Sequence, residues 1–332
     1  MRKIAALFLL ISILVLTLSG CAPDKREETF YGYFDTQVTV FDYSRQSEKK
    51  FNEKTAIVVE YLDKYNELLD IYNEYEGVTN LKTVNDAAGQ TVSISRELFD
   101  FLSYGKEAYY LSGGQMNIAM GAVLSLWHDA REAGSYVPSN EALSDAAMHI
   151  DIEKMVLDEQ GCTVTLLDER MSLDVGALGK GYVAGVIAKE MADKGIKSFV
   201  LNLGGNVTAI GSKPDGGSWR TGVENPYGGY FALFDLNNRT VSTSGDYQRY
   251  YVLGGKTYHH IIDKDTLMPA EGFISVTVVS EEPAIADALS TALFCMTYEE
   301  GVIIANALSV RVLWVKTDGT VLSNVDGFFD FS

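Results

Sequence analysis

The sequence predicts an α+β fold, in which helices pack on largely antiparallel sheets. Helical spacing of apolar residues dominates the first half of the chain, whereas short alternating segments dominate from about Ile150 onward. The first of these later segments are joined by turns that contain Gly or Asp, which are usual between antiparallel neighbours. Because helices and strands are grouped rather than interleaved, the pattern favours α+β over a parallel α/β sheet.

The first half is predicted to hold one strand and four helices. Phe30–Tyr43 alternates between apolar and polar residues, which is typical of a strand. Ser47–Asp70 is predicted to be a helix, because one stripe of it carries Ile57, Tyr61, Tyr65 and Leu68. Tyr72–Gln90 looks irregular. The other predicted helices are Ser95–Ser112, Ala122–Asp129 and Ser139–Ala147.

The second half is predicted to be mostly strands, with three helices among them. The helices are Gly181–Gly195, which ends at its glycine, Pro283–Met296, which opens on proline, and the short Gly301–Ala307. The strands are Met155–Leu157, Thr163–Leu167, Ser172–Val175, Ser198–Leu203, Ala209–Gly211, Trp219–Val223, Phe231–Leu236, Thr240–Ser242, Tyr247–Leu253, Lys256–Ile262 and Ser275–Ser280, followed by a closing hairpin of Val310–Lys316 and Val321–Ser323.

The N-terminus has the pattern of a signal peptide. Arg2 and Lys3 precede an apolar run, Ile4–Leu18, that is shorter than the roughly 20 residues of a membrane span. The run ends in Leu18-Ser19-Gly20-Cys21, which resembles a bacterial lipobox. We therefore predict a lipoprotein signal peptide over residues 1–20, lipidation of Cys21, a tether over residues 21–29 and one domain over residues 30–332. This predicts anchoring at the cell membrane on its extracytoplasmic side; the alternative is an ordinary signal peptide or anchor with a chance cysteine.

The charge balance excludes one class of partner. The chain carries 45 acidic and 27 basic residues, a formal net charge of −18. A nucleic-acid-binding protein needs a basic face, so no nucleic acid is expected as a partner. An anionic ligand must be held by a local cation, a helix end or a metal ion. The sequence does not decide whether Cys162 and Cys295 form a disulfide. No cysteine spacing indicates a zinc site.

A glycine-rich junction, Asp174–Tyr182, is the first candidate binding site. A short apolar strand runs there into three glycines, Lys180 and a helical pattern. Glycine lets the backbone approach a ligand, and a helix N-terminus presents free N–H groups to an anion. The spacing fits neither the P-loop nor the dinucleotide-binding fingerprint, so phosphate binding and tight packing both remain open.

Two further sequence patterns contain candidate metal-binding or catalytic residues. Asp287 and Thr291 lie four residues apart on the helix that Pro283 opens, so they share one face. A carboxylate and a hydroxyl are hard oxygen ligands that suit Mg²⁺, although an exposed residue and a packing residue would explain them as well. His259 and His260 point to opposite faces of a strand and are not a metal pair; a core histidine is the alternative to a site residue.

These segments together, in their order along the chain, resemble the ApbE-type FAD:protein FMN transferases. The match spans about Phe30 to Phe331. The matching segments are Asp174–Tyr182, Asn202–Asn206, Ser244–Tyr247, His260–Asp263 with Thr266 and Pro269, and Asp287–Thr291, with weaker matches at Phe34–Thr36, Tyr72, Ser112–Ile118 and Leu126-Trp127. The resemblance implies a T-fold-like α+β architecture with the active site in a cleft between two halves.

The resemblance also implies how FAD is bound. Asp174 and Lys180 would contact FAD, with Lys180 near its pyrophosphate. His260 would face the flavin half and serve as the general base. The adenosine side would be lined by Phe34, Tyr72, Gln115, Met116 and Asn117.

The metal site implied by the resemblance holds Mg²⁺. The ligands would be the side chains of Asp287 and Thr291 and the backbone carbonyl of Ala177, with Asp287 counted as catalytic. Ser290 could donate its hydroxyl or a water. Asn206 stands where Asp is common in the family, and the segments Phe34–Thr36 and Gln115–Asn117 also depart from its usual residues.

The implied reaction is Mg²⁺-dependent transfer of FMN from FAD to a Thr or Ser hydroxyl of an acceptor flavoprotein, with release of AMP. The implied acceptors are FMN-binding domains of Rnf- or Nqr-type membrane subunits, or exported flavoproteins. Two alternatives share the site residues: an Mg²⁺-dependent FAD pyrophosphatase with water as nucleophile, and a lipid-anchored FAD-binding protein without turnover. The chain lacks an acceptor-like Ser/Thr-Gly-Ala-Thr segment, so it reads as the transferase and not the acceptor.

Overall fold

The computed structural model of the protein describes residues 25–331. The predicted signal peptide, the lipidation site Cys21 and the first residues of the predicted tether lie outside the described residues. Within residues 25–331, no helix combines the length and the apolar character that crossing a membrane requires.

Eight α-helices and fifteen strands make up this described part. The helices are α1 (Glu48–Leu68), α2 (Leu81–Asp86), α3 (Arg96–Leu111), α4 (Gly121–Ala133), α5 (Asn140–Ala146), α6 (Gly179–Asp193), α7 (Pro283–Phe294) and α8 (Tyr298–Ala307). The strands are β1 (Arg26–Tyr33), β2 (Thr36–Asp42), β3 (Thr91–Ser93), β4 (Met155–Asp158), β5 (Thr163–Leu166), β6 (Phe199–Leu203), β7 (Asn206–Ile210), β8 (Trp219–Glu224), β9 (Tyr230–Leu236), β10 (Thr240–Gly245), β11 (Tyr250–Leu253), β12 (Lys256–His259), β13 (Phe273–Ser280), β14 (Arg311–Lys316) and β15 (Val321–Ser323).

An eight-stranded sheet organises the fold, in the order β1-β2-β6-β7-β10-β13-β14-β15. Every neighbouring pair in this sheet is antiparallel. The remaining strands form the smaller sheets β3-β5-β4, β8-β9 and β11-β12. The predicted α+β class with largely antiparallel sheets is confirmed.

Helices cover one face of the large sheet, and a hairpin covers the other. Leu201 of β6 packs with Leu62 of α1 and Ile187 of α6 in the largest core cluster. Its neighbour Val200 points to the opposite face and packs with Phe234 of the β8-β9 hairpin. Helices α7 and α8 pack on β13 and β14 in a further cluster. Both faces of the large sheet are buried. A shift of one residue in the pairing of two strands would move every side chain to the opposite face, so the register of the strands is strongly specified.

Serine side chains begin three of the predicted helices. The hydroxyls of Ser47, Ser95 and Ser139 accept hydrogen bonds from backbone N–H groups in the first turns of α1, α3 and α5. A side-chain cap of this kind stabilises a helix by about 1 kcal/mol. The predicted starts of these three helices are confirmed.

The prediction of one strand over Phe30–Tyr43 was wrong. The segment belongs to β1 and β2, which form a hairpin that turns at Phe34 and Asp35. Both turn residues have positive φ, 50° and 51°, as two-residue hairpin turns of the favoured kind require. The turn was missed because the apolar and polar alternation continues through it without an Asn-Gly or Asp-Gly pair.

Two other segments also differ from prediction. Ser172–Val175 forms no strand, because the backbone N–H and carbonyl of Leu173 bond to the side-chain amide of Asn85 and not to a neighbouring strand. Tyr72–Gln90 is not wholly irregular. It contains α2, which begins where Asn80 and Thr83 cap each other.

Several ends shift by a few residues. Helix α4 continues to Ala133 and α6 begins at Gly179, whereas β11 begins at Tyr250 and β12 ends at His259. Helix α8 begins at Tyr298, three residues early, because Thr297 and Glu300 form a reciprocal cap. Cys162 and Cys295, whose pairing the sequence did not decide, are both free thiols.

Candidate active site

Helices α6 and α7 touch in their first turns at Gly181. A Cβ placed on Gly181 would lie 2.3 Å from the Cβ of Asp287 and 2.6 Å from the carbonyl oxygen of Pro283. Both of those atoms are held by the α7 backbone, so only glycine lets the two helices come this close. The glycine-rich junction is therefore needed for packing, whatever ligand it also binds.

The close approach brings a backbone donor to a buried carboxylate. The N–H of Gly181 donates to Asp287 Oδ2 at 2.7 Å, and the hydroxyl of Ser242 on β10 donates to Oδ1 at 2.9 Å. Asp287 is 5% exposed, and no Lys, Arg or His within residues 25–331 forms an ion pair with it. A buried carboxylate with two neutral donors and no counter-ion is a favourable place for a cation.

The hydrogen bond from the Gly181 N–H to Asp287 also leaves a backbone carbonyl oxygen free just before α6. In an uninterrupted helix, the N–H of Gly181 would donate to the carbonyl of Ala177, four residues earlier. Because that N–H donates to Asp287 instead, the Ala177 carbonyl has no hydrogen-bond donor in the part of the chain that the structure describes. The backbone oxygen of Ala177, two residues before the start of α6, is therefore unused within residues 25–331.

Hydroxyl groups continue the polar cluster from Asp287 along α7. Ser244 Oγ lies 2.9 Å from Ser290 Oγ and 3.0 Å from Thr291 Oγ1. Ser290 also donates to the backbone carbonyl of Asp287 at 2.9 Å. Among residues 25–331, no group of three or more His, Cys, Asp and Glu side chains could hold a metal ion. A cation here would have one carboxylate and several neutral oxygens, a donor set that suits hard cations such as Mg²⁺.

Asp174 and Lys180 flank the loop that precedes α6. The Lys180 ammonium donates to the carbonyl of Gly176 at 3.2 Å, and Asp174 accepts from the N–H of Gly176 at 2.9 Å. The backbone N–H of Asp174 donates to the carbonyl of Ile118 at 2.8 Å, which fixes the loop to the segment before α4. Burial raises the pKa of the Asp174 carboxyl above its ordinary value, although the Gly176 N–H opposes the shift.

His260 lies just past the end of β12. Its Nδ1 is 3.2 Å from the carbonyl oxygen of Arg249. A carbonyl oxygen only accepts, so Nδ1 carries the proton and Nε2 keeps a free lone pair. Burial lowers the pKa of His260 to about 4, and the nearby Arg249 guanidinium adds to the shift. The imidazole is therefore neutral at physiological pH and can accept a proton at Nε2.

His259 is the core histidine of the pair. Its Nε2 donates to the carbonyl of Ala270 at 2.8 Å, and its Nδ1 accepts from the N–H of Ile261 at 3.3 Å. The ring also packs edge-on against Phe294, and burial lowers its pKa. Because both nitrogens are used within the fold, His259 has no group left for a substrate.

Two of the residues expected on the adenosine side lie near the surface. Tyr72 is 56% exposed, and its ring centroid is 5.6 Å from that of His128 on α4. Phe34 lies on the β1-β2 turn, where its backbone N–H donates to the side chain of Asn66 at 3.0 Å. The Phe34 side chain is partly buried against the main core, whereas the Tyr72 ring is largely exposed.

The other three residues expected on the adenosine side are turned inward. Met116 is 4% exposed and belongs to the main core. The Asn117 amide donates to the carbonyl of Ile150 and accepts from the N–H of Ala119, each at 2.9 Å. Gln115 donates to the Asp265 carboxylate at 3.4 Å. The fold already uses the Met116 and Asn117 side chains, whereas Oε1 of Gln115 is buried without a partner among the described residues. Contact of all three residues with adenosine stays a prediction.

Three residues that the sequence did not single out also belong to the site: Ser242, which bonds to Asp287, and Arg131 and Arg249, whose charges add to burial in lowering the pKa of His260. Gly181 and Ser244 lie in segments that the sequence did single out, but their roles emerge only from the structure. The predicted strand Thr240–Ser242 contains only Ser242; Ser244 shares its face because β10 continues to Gly245. Arg131 donates to His128 Nδ1 at 3.0 Å, and Arg249 donates to a backbone carbonyl at 3.3 Å. The arginines had no local signal, because they reach the site from separate elements.

Solved structures with the same architecture define the class. The crystal structure of the ApbE protein from Thermotoga maritima superposes with a TM-score of 0.81 at 25% identity, covering 90% of this chain and 96% of that one. The apo structure of the flavinyl transferase ApbE from Pseudomonas stutzeri gives a TM-score of 0.76 at 22% identity, covering 92% and 97%. The chain is therefore an α+β protein with the ApbE-like fold.

The ApbE family model matches residues 34–314, so this chain belongs to the ApbE family. A relative from Klebsiella pneumoniae, named FAD:protein FMN transferase, is 31% identical over 249 residues, which is 74% of this chain and 76% of the relative. A relative of the same name from Vibrio cholerae is 27% identical over 328 residues, 96% of this chain and 94% of the relative. The family inferred from the sequence is confirmed.

Proposed function

We propose that this protein is an FAD:protein FMN transferase, which moves FMN from FAD to a hydroxyl group of an acceptor protein. Its curated relatives carry that name. The observation that carries the proposal is the buried Asp287 carboxylate, which the Gly181 N–H and the Ser242 hydroxyl hold with no cationic partner among residues 25–331. A place for a cation and a neutral histidine are what transfer of a phosphoryl-linked group requires.

The proposed reaction forms one phosphorus–oxygen bond and breaks another. The acceptor hydroxyl oxygen attacks the FAD phosphorus on the riboflavin side. The bond from that phosphorus to the bridging oxygen breaks, and AMP leaves with the bridging oxygen. The hydroxyl proton passes to Nε2 of His260, which is the unprotonated nitrogen of the ring.

We propose Mg²⁺ as the cofactor. Asp287 and Thr291 would hold it through side-chain oxygens, Ala177 through its free carbonyl, and Ser290 through its hydroxyl or a water. When bound, Mg²⁺ supplies positive charge that stabilises the pyrophosphate and the departing AMP. The donor set of this chain supports the choice, because Mg²⁺ prefers oxygen ligands and usually keeps several waters.

FAD, as substrate, is proposed to lie across the loop before α6. Lys180 would pair with the pyrophosphate, since the Gly176 carbonyl is the only bonding partner of its ammonium in the described chain. Asp174 would contact FAD from the opposite side of the loop. The adenosine half would extend toward Phe34, Tyr72 and the segment Gln115–Asn117.

Replacing His260 with glutamine is expected to lower kcat by about 10²- to 10⁴-fold, the usual contribution of a positioned proton acceptor. FAD affinity, measured by fluorescence titration, should change little. The wild-type kcat should stay level through pH 6.5 and fall only toward about pH 4, because a lowered pKa keeps the imidazole neutral down to that pH. A wild-type rate that halves near pH 6.5, or a His260→Gln enzyme with normal kcat, would exclude His260 as the base.

We also propose where the enzyme acts and on which partners. Lipidation of Cys21 would anchor it to the cell membrane on the extracytoplasmic side, as one domain that follows a short tether. FMN-binding domains of Rnf- or Nqr-type subunits, or exported flavoproteins, would be its acceptors there. A Cys21→Ser protein should leave the membrane fraction; if it stays there, the anchor is assigned wrongly.

Mass spectrometry of an acceptor tests the activity itself. An Rnf- or Nqr-type FMN-binding domain with a Ser/Thr-Gly-Ala-Thr segment is incubated with the enzyme, FAD and Mg²⁺. The acceptor should gain one FMN less one water, with one AMP released per transfer, and an acceptor with that hydroxyl residue changed to Val should gain nothing. Equal AMP release without acceptor, and no covalent flavin, would support the pyrophosphatase instead. FAD binding without AMP release would support a carrier.

A further inference from the structure

A buried amide on β7 has no hydrogen-bond partner. Asn206 is 1% exposed, and neither its Oδ1 nor its Nδ2 bonds to any of the described residues. Nearly all buried polar side chains are hydrogen-bonded, because an amide removed from water without a partner destabilises the fold. Two unused groups on one amide therefore indicate a partner from outside residues 25–331, such as a bound water.

The pairing of β7 with β10 fixes what Asn206 faces. Thr208 and Thr240 lie opposite each other on these strands, and their hydroxyls are 2.8 Å apart, so both point to the same face. Side chains two residues along each strand return to that face. The residues at those positions are Asn206 and Ser242, one step beyond Val207 and Val241, which form the last pair of the two strands.

Ser242 links this pair to the candidate cation site. Its hydroxyl donates to Asp287 Oδ1 at 2.9 Å, and its oxygen lies 3.4 Å from Ser290 Oγ. On the other side of Asn206, the cross-strand neighbour in β6 is the apolar Leu203. On this face, the Ser242 hydroxyl therefore links the strand position next to Asn206 with the Asp287 carboxylate.

We infer that Asn206 is a positioning residue of the cation site, and that its amide holds a water between β7 and the ligands around Asp287. The inference rests on the proposed function. A water coordinated to a cation offers only its hydrogens, which Asn206 Oδ1 can accept, while Nδ2 gives a contact toward Ser242. Because Mg²⁺ gives up its waters reluctantly, the side chain that holds one of them helps to set where the cation sits.

The amide also sets the charge of the site. A carboxylate at this position would add a second negative charge beside Asp287, whereas Asn206 keeps the acceptor oxygen and leaves one. Asn206→Leu removes both amide groups at similar volume, and Asn206→Asp keeps the oxygen and adds the charge. The two variants separate the hydrogen bond from the charge.

Calorimetric titration with Mg²⁺ as the only ligand tests the inference without any turnover. Asn206→Leu should weaken Mg²⁺ binding about 10- to 100-fold, the usual effect of losing a contact that orients a metal ligand. The Tm of the metal-free variant should equal or exceed that of the wild type, because no bond within the protein is lost. A lower Tm with unchanged Mg²⁺ affinity would mean that Asn206 only supports the fold, and the inference would fall.

Two comparisons complete the test. Asn206→Asp should bind Mg²⁺ at least as tightly as the wild type; binding as weak as that of Asn206→Leu would overturn the inference. Thr208→Val, on the same strand and face, should lower Tm through loss of its bond to Thr240 and leave Mg²⁺ affinity unchanged. If the wild type transfers FMN yet binds no Mg²⁺, the metal assignment fails together with this inference. If it binds Mg²⁺ and Asn206→Leu binds equally well, only the role of Asn206 is wrong.

Discussion

Asp287→Asn is expected to lower kcat/KM for FMN transfer by about 10³-fold while the protein remains folded. Asparagine matches the carboxylate in shape and can still accept from the Gly181 N–H, as Asp287 does at 2.7 Å. It loses the only carboxylate among the donors assembled on β10, α6 and α7, so the charge that would attract Mg²⁺ disappears. Activity measured over a range of Mg²⁺ concentrations, with the Tm measured alongside, separates loss of charge from loss of fold.

Asp287→Ala supplies the matched comparison. It removes the charge and also leaves the Gly181 N–H and the Ser242 hydroxyl without their acceptor, which costs about 1–3 kcal/mol for each buried group left unpaired. We therefore expect the alanine variant to be as inactive as the asparagine variant but less stable. An Asp287→Asn enzyme that keeps its rate and its Mg²⁺ dependence within a few-fold would remove Asp287 from the metal site.

Gly181→Ala is expected to destabilise the protein by about 1–3 kcal/mol and to lower FMN transfer strongly. The added methyl would lie 2.3 Å from the Asp287 Cβ and 2.6 Å from the Pro283 carbonyl, so α6 and α7 must separate. Separation also breaks the bond from the Gly181 N–H to the carboxylate. Urea unfolding gives the stability change, and Mg²⁺ titration shows whether the site itself is disturbed.

Gly185→Ala, one turn further along α6, is the control. A Cβ there would lie 3.7 Å from the Pro283 ring, an ordinary contact. Alanine is a better helix former than glycine by about 1 kcal/mol, so this variant should be as stable as the wild type or more stable, and active. Equal tolerance of both substitutions would show that the α6–α7 contact is looser than the structure indicates.

Much of the architecture could be predicted because its signals are local. The serine caps of α1, α3 and α5 and the apolar stripe of α1 identify helices within a single stretch of sequence. The predictions for the β1-β2 hairpin and for Ser172–Val175 are wrong because neither segment has a local signal of this kind. A turn at Phe34-Asp35 with positive φ has no composition signal, and the Asn85 amide that replaces a strand partner of Leu173 lies 88 residues away in sequence.

The candidate site likewise has one part that could be predicted from the sequence and another that could not. Asp287 and Thr291 could be paired from their spacing alone, since four residues make one helical turn, and Ser290 lies beside them. The structure does bring Thr291, Ser290 and Ser244 into one hydroxyl cluster. The orientation of His260 depends on a distant carbonyl, so neither its free nitrogen nor its lowered pKa could be derived from the sequence.

The sequence by itself determined the α+β class, the family and most helix and strand positions, because each depends on short-range patterns and on the order of motifs. Only the tertiary structure decided that Gly181 is needed for helix contact and that, within residues 25–331, the Ala177 carbonyl and the Asn206 amide have no partner. Gly181 and Asp287 are 106 residues apart in the chain. Contacts at that separation depend on how whole elements pack, which no local spacing of residues encodes.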